Sequence, residues 1–136
     1  MNEQLVLVAD AAPVPRGILH PDELIDVLER FRFRYTDENE LQQGIAKALT
    51  LRGITFEREK VLSRPDRPDF LVCGGVAIEV KIKGSLADLL RQVSRYATHT
   101  EVIGVLAVGT PKWLPQVPEE LCGKPVRSLR LIGSLL

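Results

Sequence analysis

Pro68-Asp69-Phe70-Leu71-Val72-Cys73-Gly74-Gly75-Val76-Ala77-Ile78-Glu79-Val80-Lys81-Ile82-Lys83 is the stretch whose reading decides the fold. Two short apolar runs flank Gly74-Gly75. A Gly-Gly between such runs predicts a tight hairpin turn, because it supplies the positive φ angles that these turns need. The second run alternates: Ile78, Val80 and Ile82 point one way, and Glu79, Lys81 and Lys83 the other. Asp69 lies on the first strand, ahead of the turn. The hairpin therefore brings Asp69 beside Glu79, with Lys81 two residues along on the same face.

Two carboxylates and an ammonium are costly to gather on a sheet. Close carboxylates repel, and a shared site raises one pKa unless a cation intervenes. Mg²⁺ or Mn²⁺ removes that cost, since hard cations take oxygen ligands and keep several waters. A metal acidifies its bound water and stabilises charge on a phosphate. Lys81 stands where it can orient or help activate that water. The plainer reading is a solvated strand face carrying a Glu-Lys pair. A preceding Pro68-Asp69 on a paired strand argues against it.

These residues resemble the PD-(D/E)xK nuclease superfamily: Pro68-Asp69, then Glu79-Val80-Lys81 after a nine-residue gap. A helix carrying an acid upstream and Gln92-x-x-x-Tyr96 on a helix downstream complete the frame, the latter similar to the RecB-type branch. The resemblance runs from Asp37 to Val108. It implies an α/β fold with a restriction-endonuclease-like core, a mixed sheet of about four or five strands flanked by helices. It further implies metal-dependent hydrolysis of phosphodiester bonds in DNA. Asp69 and Glu79 would bind Mg²⁺ or Mn²⁺, with the Val80 carbonyl as a third protein ligand and Glu40 as the supporting acid. Lys81 would orient the attacking water. Gln92 and Tyr96 would place the nucleic acid, with Lys83, Arg91 and Arg95 as further contacts. Small members of similar size include dimeric Holliday-junction resolvases. The specific expectation is thus a structure-selective endonuclease acting as a homodimer; a restriction-like or phage-encoded nuclease also fits. The competing class is a non-catalytic nucleic-acid-binding or protein-interaction module that keeps the fold.

A chain of 136 residues predicts one domain. Residues 1–35 form an N-terminal extension with a strand and a helix, 36–108 the core, and 109–136 a C-terminal loop and strand. Hydrophobic content of 45% and charged content of 26% fit a soluble globular protein. No apolar stretch reaches about 18 residues, so no membrane span is expected. The first residues, Met1 to Val8, lack the basic start and long apolar core of a signal peptide. Cys73 and Cys122 show no metal-ligand or redox spacing, and Cys73 is expected as a buried thiol within a strand. Together these features predict a cytoplasmic protein. Formal net charge is zero, but residues 1–40 hold four basic and nine acidic groups and residues 41–136 hold fourteen and nine. The motif lies in the basic part, which favours a phosphate-bearing partner.

Along the chain, residues 3–9 read as a strand and Ala11 to Gly17 as a loop. His20-Pro21-Asp22 opens a helix. Arg30 to Tyr35 interleaves arginines with aromatics. It reads either as a grip on a nucleic-acid strand or, the favoured alternative, as a helix end with aromatics packed inward. Asp37 to Leu51 is the next helix, with Gly53 as its cap. Glu40 has two readings there, site acid or partner of Asp37 in a capping box, and Glu38 is the alternative site acid. Ile54 to Leu62 is expected as a strand, with Glu57 and Glu59 on one side. Arg64 and Arg67 in the following turn are further candidate phosphate contacts. Ser85 with Asp88 predicts the start of a helix whose stripe is Leu86, Leu89, Leu90, Val93 and Ala97. Gln92 and Tyr96 share a face of it, as do Arg91 and Arg95. Glu101 to Val108 and Pro125 to Ile132 read as strands, with Trp113 covering a core edge or meeting a partner. Neither His20 nor His99 has a ligand-spaced companion, and both are read as non-metal residues.

Overall fold

The alternating stretch forms two antiparallel strands, β4 (Phe70–Val72) and β5 (Val76–Lys81), in the register Phe70↔Ile78 and Val72↔Val76. Gly74 and Gly75 make the turn with φ of 109° and 115°, a region that excludes side chains of ordinary residues. Cys73 follows β4 in this turn and its thiol is exposed, not buried as the sequence suggested. The apolar run ends at Val72, and the turn carries Cys73 out of the sheet.

The computed structural model describes residues 5–7 and 17–132. The elements ahead of the hairpin are β1 (Leu5–Leu7), α1 (Pro21–Leu28), β2 (Phe31–Phe33), α2 (Glu38–Leu51) and β3 (Phe56–Arg58). After it come α3 (Leu86–Ala97), β6 (Gly104–Gly109), a 3₁₀ turn at Leu114–Gln116, β7 (Glu120–Leu121) and β8 (Lys124–Arg130). The main sheet has six strands in the order β3-β4-β5-β6-β8-β7. Pairing is parallel for β5/β6 and β6/β8 and antiparallel elsewhere. The architecture is α/β with a mixed sheet, as expected, but with six strands rather than four or five. The extra strand is short β7, which the Cys122-Gly123 turn, both residues at positive φ, folds back on β8.

The two faces of the sheet are covered separately. Val76, Ile78, Val80, Leu106 and Val108 pack against α1, β2 and α2 through Leu24, Leu28, Phe33, Leu41, Ile45 and Leu49. On the other face Ala77, Val105, Ala107 and Val126 pack against Leu89, Val93 and Tyr96 of α3 and against Leu114. Each fully buried aliphatic side chain contributes about 1.5–3 kcal/mol. Trp113 is partly buried against this second cluster, covering its edge. Residue parity in β5 thus assigns the odd positions, Glu79 and Lys81, to the α3 face.

The helix starts follow their sequence signals. His20 accepts from Asp22 N–H (3.0 Å), Asp37 from Glu40 N–H (2.8 Å) and Ser85 from Asp88 N–H (3.1 Å). Two segments depart from expectation. The middle of Arg30 to Tyr35 is a strand, not a helix end: β2 pairs with β1, burying Phe31 and Phe33 and exposing Arg32. Its strict alternation is a period of two, which a helix would not sort into faces. The strand expected over 54–62 stops at Arg58, because Glu59 turns to a φ of 50° and the chain enters a turn closed between Ser63 and Asp66.

A Cβ at Gly74 would lie 2.1 Å from the Ile18 carbonyl oxygen, whereas one at Gly53, with φ of 74°, meets nothing within 4 Å. Gly74→Ala is therefore expected to cost about 2–3 kcal/mol through overpacking and strain. Gly53→Ala, which carries only the left-handed penalty, should cost ~1 kcal/mol. Thermal melting of the two variants checks this, and equal losses would contradict the turn geometry.

Candidate active site

β4, β5 and α3 bring four of the expected groups, Asp69, Glu79, Lys81 and Tyr96, to one place. Asp69 directly precedes β4, and its Oδ2 accepts a hydrogen bond from Val80 N–H at 2.7 Å. Glu79, on β5, is almost fully buried, at 4% exposure. Its Oε1 accepts from the Tyr96 hydroxyl at 3.0 Å and makes a longer contact of 3.4 Å with Asp69 N–H. Its Oε2 faces Lys81 Nζ at 3.8 Å. Sheet pleat and helix packing are sufficient to produce this arrangement. Glu79 and Lys81 share the α3 face of β5, and Tyr96 is the buried α3 residue above them.

The electrostatics are unbalanced. Burial pushes the Glu79 carboxyl above its usual range, and the neighbouring Asp69 charge pushes it further, against the Tyr96 hydrogen bond and Lys81. Asp69 is also pushed up, first by burial and then by the Glu38 and Glu59 charges, against the Val80 N–H and Lys81. The two carboxyls titrate as a pair. Tyr96 is held well above its usual range by burial and then by the Glu79 charge, so its hydroxyl keeps its proton and donates. The Lys81 ammonium thus offsets both Asp69 and Glu79, while Glu38 adds further negative charge beside Asp69. Lone carboxylates in such a place cost several kcal/mol each unless protonated or paired.

The acid from α2 at this site is Glu38, the alternative that the sequence offered, and not Glu40. Glu38 Oε1 accepts from Ile82 N–H at 3.0 Å, just beyond β5, and its charge acts on Asp69. Glu40 instead accepts from the N–H of Thr36 at 2.7 Å and from the Thr36 hydroxyl, while its own N–H is capped by Asp37. These bonds hold its carboxyl below the usual range, the Thr36 hydroxyl contributing most. The helix start claims Glu40, which lies about half a turn around α2 from Glu38.

Gln92 lies one turn before Tyr96 on α3, and its buried Oε1 has no hydrogen-bond partner. An orphaned buried acceptor costs about 1–3 kcal/mol. Lys83 is exposed beyond the end of β5. Arg91 is exposed and paired with Asp88. Arg95, a candidate nucleic-acid contact, is half-exposed, and its Nε donates to buried Asp66 at 2.7 Å. His99 is also drawn to Asp66, at 2.8 Å. The spacing of four between Arg95 and His99 is a signal for a shared side of the chain. Nothing in the sequence ties them to an aspartate twenty-nine positions before Arg95.

Among the described residues, no three His, Cys, Asp or Glu side chains form a ready-made metal cage. Mg²⁺ needs none: it is bound through one or two carboxylates plus waters and substrate phosphates. Buried Glu79 and half-buried Asp69, like-charged and all-oxygen, fit that donor set. Comparison with family models, curated proteins and solved structures finds no match.

Raised carboxyl pKa values mean that the folded state binds more protons than the unfolded one above about pH 4. Stability of the metal-free protein is therefore greatest in mild acid and falls as pH rises through neutrality. Glu79→Gln keeps the Tyr96 acceptor and removes the charge. It should raise stability at neutral pH by on the order of 1–2 kcal/mol and flatten the pH dependence. Melting in EDTA across this range is the check, with a stability that rises with pH as the contrary result.

Proposed function

We propose that the protein is a Mg²⁺- or Mn²⁺-dependent nuclease of the PD-(D/E)xK kind, hydrolysing phosphodiester bonds in DNA on a restriction-endonuclease-like core. The observation that carries the reading is the pair of buried Glu79 and half-buried Asp69, with the Lys81 ammonium beside Glu79. Such a pair accumulates negative charge that a divalent cation would neutralise. The sequence order of Asp69, Glu79 and Lys81, the acid on α2 and the Gln92–Tyr96 pair on α3 support it.

Asp69 and Glu79 would hold the metal, which supplies Lewis acidity and an acidified water. Val80 N–H fixes the Asp69 rotamer through Oδ2. The Tyr96 hydroxyl fixes Glu79 through Oε1. Lys81 keeps its Nζ beside Glu79 Oε2, where it orients the attacking oxygen and offsets charge on the phosphate. Glu38 takes the supporting role expected of Glu40, holding the chain beyond β5 through Ile82 N–H. Gln92 Oε1, buried and without a partner, offers an acceptor to a small donor such as a water beside the site. Lys83 and Arg91 supply positive charge along the approach.

A small domain has little surface for reading a base sequence, so selection by DNA structure and action as a homodimer complete the proposal. Two exposed thiols, Cys73 and Cys122, suit a reducing, cytoplasmic setting. No helix among the described residues is long and apolar enough to cross a membrane.

Cleavage of labelled duplex, single-stranded, flap and four-way-junction DNA with Mg²⁺, Mn²⁺ or EDTA tests the activity. Metal-dependent cutting is expected, falling at least about 10²-fold in Lys81→Ala. Metal-indifferent binding without cutting would favour the non-catalytic module. A second comparison separates the two α2 acids. Glu38→Gln should weaken Mn²⁺ binding, measured calorimetrically, about tenfold. Glu40→Gln should leave Mn²⁺ affinity unchanged and lower only the melting temperature. The reverse pattern would restore Glu40 to the site.

A further inference from the structure

Asp66 is a buried carboxylate that the proposed chemistry does not use. Only 5% of the residue is exposed. Its Oδ1 accepts from Arg95 Nε at 2.7 Å; its Oδ2 lies 2.8 Å from His99 Nε2 and accepts from Ser63 Oγ at 3.1 Å. Three side-chain partners satisfy one carboxylate. Replacing buried ionic groups with apolar ones is often neutral or stabilising. The advantage of this one is therefore sought in the geometry it fixes.

That geometry joins the two halves of the site. On one side Asp66 closes the turn after β3, its N–H donating to Ser63 O at 3.0 Å and its O accepting from Leu62 N–H at 2.9 Å. Only Arg67 and Pro68 separate it from Asp69. Pro68 fixes its own φ and restricts Arg67, so the short link is stiff. On the other side Arg95 and His99 bracket Tyr96, which holds Glu79. The end of α3 is braced further by Lys124 Nζ, which donates to His99 O at 2.7 Å.

We propose that Asp66 is a positioning residue: through Arg95 and His99 it locks the Asp69 turn to the α3 segment bearing Tyr96, and so sets how Asp69 and Glu79 face each other. The inference rests on the nuclease reading for its catalytic consequence, but its geometric claim stands without metal or DNA. Val80 N–H reports that geometry directly, because its acceptor is the Asp69 carboxylate.

Amide hydrogen exchange is measured by NMR on the metal-free protein, comparing Val80 with Leu106 at the centre of the sheet. In Asp66→Asn the Val80 amide should exchange about tenfold faster relative to Leu106, the effect of loosening one hydrogen bond. His99→Ala should do the same to a smaller degree, and His99→Gln, which keeps a donor, should restore protection. Equal acceleration of both amides would reduce Asp66 to a general stabiliser and overturn the proposal, as would no change in either. Should Asp66→Asn fail to fold, the two His99 variants decide the question by the same comparison. DNA cutting by the same variants should fall mainly in kcat rather than KM. Wild-type protein that cuts nothing would sink the nuclease reading alone, since the exchange comparison decides the positioning role by itself.

Discussion

Two carboxylates, Glu79 buried and Asp69 half-buried, share the margin between the sheet and α3, and one lysine is too little charge to balance them. Glu79 occupies a position that its neighbours in β5 fill with Val, Ala and Ile. An apolar residue there would extend the second core cluster. The strand instead holds a carboxylate whose burial is compensated in part by Tyr96 and Lys81. The surrounding geometry serves this one constraint. A Gly-Gly turn sets the register that puts Asp69 opposite Glu79, the pleat turns Lys81 to the same face, and α3 lays a tyrosine hydroxyl over the pair.

The division of labour between the two sheet faces explains why such a site is tolerated. α1, β2 and α2 pack on one face without polar interruption, supplying most of the stabilising burial. The α3 face carries the smaller cluster and the site at its margin. Most polar groups there have partners, Asp69 with Val80, Glu79 with Tyr96, Asp66 with Arg95 and His99, while Gln92 Oε1 has none. The residual imbalance is confined to one spot, where the described groups leave negative charge unmatched. Metal-free protein meets this by holding protons, and a divalent cation would meet it by displacing them.

The hairpin, its turn and the face assignment of Glu79 and Lys81 were legible because each rests on local chemistry: period-two alternation, Gly-Gly φ angles and sequence-adjacent register. Helix starts were legible for the same reason, since His20, Asp37 and Ser85 cap within three residues of themselves. What escaped depends on distance along the chain. Whether Glu38 or Glu40 reaches the site turns on the docking angle of α2 against β5, which no local signal encodes. The Asp66–Arg95–His99 cluster is formed by packing a turn against a helix. The segment Arg30 to Tyr35 misled for another reason. Six alternating residues fit a strand, but β2 becomes stable only by pairing with β1, more than twenty residues upstream.

Whether Asp69 and Glu79 seat a divalent cation is tested most directly by anomalous X-ray scattering from crystals soaked in Mn²⁺. A manganese peak is predicted within roughly 2.2 Å of one oxygen each from Asp69 and Glu79, remaining positions being filled by water. That peak should vanish in Asp69→Ala. A manganese peak elsewhere, or none at all with the carboxylates still bonded to Val80 and Tyr96, would contradict the proposed seat.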